Sequence, residues 1–107
     1  MRRWLSASSD AKERRFIQVG DTLFHSQKFK VLSSGAKILY LYCAMESAGQ
    51  QNFQMPVSCA EKYGIPSSSL RRYLKELEEN HFIQVTRSGK NTRTANDYQF
   101  CFDWLNE

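Results

Sequence analysis

The chain has 107 residues, a formal net charge of +4 and 13% aromatic residues. That length suits one domain with one modest core, and the aromatic share argues against global disorder. No run approaches the ~20 apolar residues needed to cross a bilayer, and the basic start has no apolar stretch behind it, so neither a membrane span nor a secretory leader is expected.

Positive charge is concentrated rather than spread. Residues 1–15 carry Arg2, Arg3, Lys12, Arg14 and Arg15 against Asp10 and Glu13, and residues 87–93 carry Arg87, Lys90 and Arg93 with no acid. A basic tail and a basic loop suit a polyanion. Cys43, Cys59 and Cys101 form no CxxC pair, and His25 and His81 complete no zinc spacing. Free thiols in a reducing cytoplasm, and neither a metal site nor a cofactor, are therefore expected.

In chain order, residues 1–14 read as a flexible basic arm ahead of a single domain over 15–107. Residues 16–19, FIQV, make a short strand closed by the turn pair Gly20-Asp21. Ser26 is placed to cap a short helix burying Phe29 and Leu32. In SSGAKILYLYCAMESAG, Ser33 or Ser34 is an N-cap, Gly49 a stop, and the segment between is apolar almost all round, which marks a central buried helix. A polar loop, GQQNFQ, follows. Ser58 with Glu61 three residues on reads as the capping box of a helix over 59–63. Gly64 ends that helix, and the run Ser67-Ser68-Ser69 caps a longer one reaching Glu79. Two helices joined by a short Gly-containing turn match a helix-turn-helix.

Residues 82–87 and 95–102 then alternate apolar with polar, giving two strands joined by the basic loop SGKNTRT. Helices followed by such a hairpin predict an α+β fold of the winged helix-turn-helix type, with a three-helix core, a small antiparallel sheet and a β-hairpin wing. The segments GDTLFHSQKFKVLSSGAKILYLYCAM, MPVSCAEKYGIPSSSLRRYLKELEENHFIQV and GKNTRTANDYQF resemble the winged-helix N-terminal domain of RepA-type replication initiators. These occur on plasmids, phages and integrative elements of Gram-positive bacteria. The resemblance covers residues 16–102. It implies double-stranded DNA binding in replication initiation, with the second helix of the motif in the major groove and the hairpin loop as a wing. A bacterial transcriptional regulator on the same fold and a winged-helix protein-interaction module are the alternatives. Replisome proteins and a second copy of the chain are further candidate partners.

On a helical wheel, Leu70, Tyr73, Leu74 and Leu77 share one apolar arc. Ser68, Arg72, Lys75 and Glu79 point away from it, flanked by Ser69 and Arg71. With Ser67, the hydroxyls and cations of this face are the groups that reach base edges and phosphates. Arg87, Lys90, Asn91, Arg93 and Thr94 are the wing candidates, and Ser58 and Lys62 candidates for the DNA backbone. The charge order opposes the helix macrodipole, with cations early and Glu76, Glu78 and Glu79 late. Arg72–Glu76 and Lys75–Glu79 are spaced to pair at i,i+4. His81 suits packing or capping, Trp104 suits packing, and no GxxxxGK[ST] phosphate loop is present, so no enzyme is expected.

Overall fold

The computed structural model describes residues 5–8, 16–89, 95–102 and 104. Its elements are β1 (Leu5–Ser8), β2 (Phe16–Val19), α1 (Asp21–Phe24), α2 (Gln27–Lys30), α3 (Ser34–Ser47), β3 (Asn52–Phe53), α4 (Val57–Lys62), α5 (Ser67–Glu79), β4 (Ile83–Arg87) and β5 (Asp97–Phe100). The fold is α+β: among the described residues there are five helices, a three-stranded antiparallel sheet in the order β3-β5-β4, and a separate β1-β2 pair.

α3 is the central helix that its apolar run predicts. Ala36, Leu39, Tyr40, Cys43, Ala44 and Ser47 are buried along it. Aromatic rings close the core around Tyr40, with Phe82 at 5.3 Å and 72° and Phe100 at 5.6 Å and 84°. Both are edge-to-face arrangements, which suit the ring quadrupole. Trp104 stacks on Phe82 at 5.7 Å, and its indole N–H donates to the Cys101 carbonyl at 3.1 Å. Burial pushes the Tyr40 hydroxyl and the Cys43 thiol well above their ordinary pKa values, so Cys43 is an inert packing thiol.

α5 lies on this core through Leu70, Leu74 and Leu77, all buried. Their i, i+4, i+7 spacing forms one stripe, and burying each leucine contributes about 1.5–3 kcal/mol. The helix ends where His81 takes a left-handed φ of 64° and the Phe82 N–H reaches back to the Leu77 carbonyl at 2.9 Å. This is the reversal that delivers the chain directly into β4.

Several local expectations are corrected. Gly20-Asp21 is not a free turn: Gly20 is the N-cap of α1. The polar loop GQQNFQ contains β3, held by the pairing of Asn52 with Gln99 and of Phe53 with Tyr98. Ser58 does not cap α4, and the serine run does not cap α5; the N-caps are Pro56 and Pro66, without side-chain cap bonds. Proline fixes the φ needed just before a helix, so α4 starts earlier than Ser58 suggests, while α5 starts within the serine run, at Ser67. α3 keeps its expected cap, since Ser33 Oγ accepts from the Ala36 N–H at 3.2 Å. Its stop is one residue early, at Ala48 with a φ of 53°, followed by Gly49. Within the stretch read as an arm, Leu5–Ser8 pair antiparallel with β2. Arg2, Arg3, Arg14 and Arg15 lie outside the described residues. No helix among the described residues is long and apolar enough to cross a membrane.

Candidate nucleic-acid interface

α4 and α5 meet through the turn at Gly64, whose φ of 77° is the left-handed region that glycine occupies without strain. The turn is tied by the Ile65 N–H bonding the Ala60 carbonyl at 3.0 Å. With the leucine stripe inward, Ser67, Ser68, Arg71, Arg72 and Lys75 are exposed and Ser69 is half-buried. The predicted face is therefore present as one surface. α5 has no acidic residue in its first turn and no basic residue in its last, so its positive N-terminal dipole is uncompensated within the helix.

Beside this face runs a groove of about 420 Å³, lined by residues that include Pro56, Val57, Ser67, Arg71 and Asn96. One wall is the start of α4 and α5; the other is the approach to β5. Asn96 fixes that second wall, since its Oδ1 accepts from the Gly89 N–H at 2.8 Å and its Nδ2 donates to Tyr98 Oη at 3.4 Å. The base of the β4–β5 loop is thus closed by a side chain before the strands pair. Lys90, Asn91, Arg93 and Thr94, the expected loop contacts, lie outside the described residues.

The charges on α5 have partners other than the helical spacing alone suggests. Lys75 Nζ does lie 3.9 Å from Glu79. Arg72 does not pair with Glu76; among the described residues it makes no ion pair. Its guanidinium lies 5.0 Å from the Tyr73 ring centre, and its Nη2 donates to Tyr73 Oη at 3.3 Å. The Tyr73 ring in turn sits against Gly35 of α3, where an added Cβ would run into it. Glu76 crosses to α3 instead, accepting from the Ser33 N–H at 2.6 Å and from Ser33 Oγ at 2.7 Å. α3 has no acidic residue in its own first turn, and Glu76 supplies one from another helix.

Two other candidates are already engaged. Arg87 Nε donates to Asp97 Oδ2 at 2.6 Å. That bond holds the Asp97 carboxyl below its usual range and raises Arg87, with Gln54 Nε2 donating to the other Asp97 oxygen at 2.6 Å. The acid missing from residues 87–93 thus arrives across the hairpin and offsets the charge of Arg87. Lys62 lies 3.4 Å from Glu46, which also accepts from Tyr63 Oη at 2.6 Å, while Ser58 is exposed on α4. The sequence reading missed Tyr73 as the group holding Arg72, Asn96 as the loop clamp and Glu76 as an interhelical cap. Only Asn96, a turn-forming residue next to a strand, carries a local signal.

Comparison with family models, with curated proteins and with solved structures gave no match.

Proposed function

We propose that the chain binds double-stranded DNA sequence-specifically as a winged helix, with α5 in the major groove and the β4–β5 loop as the wing. The order helix, strand, two helices and hairpin supports the winged-helix assignment. The observation that carries the reading is the outward face of the first turns of α5. There Ser67, Ser68, Arg71, Arg72 and Lys75 are exposed together, at a helix end without acidic charge, beside a groove whose far wall includes Ala95 and Asn96. Residues at the start of such a helix approach base edges, Arg can read guanine bidentately, and hydroxyls bond to bases or phosphates. Backbone N–H groups at the helix start favour a phosphate.

The reading is of a binding module, not an enzyme, and needs no cofactor. Its resemblance to RepA-type initiators supports a role in replication initiation of a plasmid or other mobile element, in a bacterial cytoplasm. The test is selection from a genomic fragment library, followed by salt-titrated fluorescence anisotropy on the selected duplex. Arg72→Ala is expected to cost about 1–3 kcal/mol of specific binding, and Lys90→Ala to weaken all duplexes evenly and flatten the salt slope by about one unit. If neither substitution alters binding, the assignment fails. Recovery of a promoter operator rather than repeats near an initiation site would move the role to transcription.

A further inference from the structure

A second surface lies on the outer side of α3, sharing no residue with the groove beside α5. α1 and α2 lean against α3 and leave an opening of about 340 Å³ lined by Phe24, Phe29, Lys30, Ser34, Lys37, Ile38 and Leu41. Phe24 is 47% exposed, Ile38 41%, and Val31, next in chain after α2, 72%. The Phe24 ring is held tilted against Phe29 at 6.2 Å. Isolated exposed apolar residues need no explanation; a built groove with apolar floor and walls marks a contact surface. None of the described residues covers it.

The rim says what fits. Lys30 and Lys37 line the groove, and no acidic residue does. Neither lysine takes part in an ion pair among the described residues. A second copy of this chain is a poor occupant: a two-fold contact sets each patch against itself and brings these lysines together, on a chain of net charge +4. DNA is a poor occupant as well, since phosphates gain nothing from Phe24, Ile38 and Leu41. An apolar stripe flanked by carboxylates satisfies both floor and rim, and a helix presents such a stripe at i, i+3, i+4 and i+7.

We infer that the groove between α1–α2 and α3 docks an acidic amphipathic helix of a partner protein. The inference is independent of the DNA-binding reading. The probe is a fluorescent designed helix of about five turns, with a leucine stripe flanked by glutamates, beside a twin in which lysines replace the glutamates. The acidic peptide binds the wild-type chain, and the lysine twin does not. Lys30→Glu with Lys37→Glu weakens binding about tenfold, as reversal of two rim charges should, and adding salt weakens the wild-type complex. Ile38→Ser, at an exposed position that leaves the core untouched, weakens it as well. Failure of the acidic peptide to bind, equal binding of both peptides, or insensitivity to the lysine reversals overturns the inference. So does a concentration-dependent dimer in sedimentation that Ile38→Ser abolishes, because the occupant is then a second copy. Loss of duplex DNA affinity in the lysine double variant overturns it too, because the lysines then serve DNA.

Discussion

Replacing Glu76 with alanine tests the bond between the two principal helices. The carboxylate accepts from the Ser33 backbone N–H at 2.6 Å and from Ser33 Oγ at 2.7 Å, and Ser33 Oγ accepts from the Ala36 N–H at 3.2 Å. Hydrogen bonds to a charged group contribute about 1.5–3 kcal/mol when well formed. A carboxylate at a helix N-terminus adds about 0.3–1 kcal/mol. Ser33 is exposed and Glu76 half-buried, so water takes over part of both contributions, leaving an expected loss of about 1–2 kcal/mol for Glu76→Ala. For a domain near this size, that is a fall in Tm of about 5–10 °C.

Thermal unfolding by circular dichroism of Glu76→Ala, Ser33→Ala and the double variant measures the coupling. Because both residues serve the same cap, the effects should fall short of additive by about 0.5–1 kcal/mol. Glu76→Gln keeps an acceptor oxygen without the charge and should lie between wild type and Glu76→Ala. Additive losses, or a Glu76→Ala shift below about 1 °C, would refute the interhelical cap and return Glu76 to an ordinary solvated position.

Gly35→Ala should lower Tm although alanine is the better helix former. The gain of up to about 1 kcal/mol in propensity is outweighed by displacing the Tyr73 ring, an overpacking cost of about 1–3 kcal/mol; a raised Tm would show that the ring moves aside freely. Tyr40→Phe should leave Tm unchanged or raise it, since the buried Tyr40 hydroxyl makes no well-formed hydrogen bond among the described residues and the Trp104 indole beside it donates to the Cys101 carbonyl. Asp97 has a depressed pKa in the fold, so its contribution is present above the unfolded carboxyl pKa and is lost as pH falls through the folded value. Asp97→Asn should therefore flatten the acid limb of a stability–pH profile, and should strengthen duplex binding by releasing Arg87.

The long-period features were legible in the sequence: the apolar run of α3, the leucine stripe of α5 and the alternation of β4 and β5. Each is a repeated local pattern that burial reinforces. The short elements were not. β3 is two residues inside a polar segment, and what makes it a strand is β5, distant in sequence. β1 reads as tail composition until Phe16–Val19 pairs with it. The start of α4 was displaced because Ser58, shortly after Pro56, looks like a cap, whereas the proline holds that place. On the candidate site, side-chain direction was legible from the wheel, because Leu70, Leu74 and Leu77 determine which face is left outside. Partnership was not, since the Ser33–Glu76 and Gly35–Tyr73 contacts join residues that no local spacing relates.

The reversed charge order of α5 has two physical parts that the structure separates. Late acids are unfavourable for the dipole of α5 itself, yet the three glutamates have different surroundings. Glu79 lies within ion-pair distance of Lys75, Glu78 is exposed, and Glu76 reaches the start of α3, which has no acid of its own. What Glu76 loses against one macrodipole it recovers at another, across the contact that holds the helices together. The early cations have no such structural partner on that scale. Among the described residues Arg71 makes no ion pair, and Arg72 is held by the ring and hydroxyl of Tyr73 beside it rather than by an acid. Cations kept at the positive end of a helix, without acids to offset them, are hard to explain by stability alone. Stability would be improved by exchanging Arg71 for glutamate, which would have Lys75 one turn on, by about 0.3–1 kcal/mol. The same exchange should abolish duplex binding, and a variant that gains stability and keeps its affinity would leave Arg71 without a role in DNA recognition.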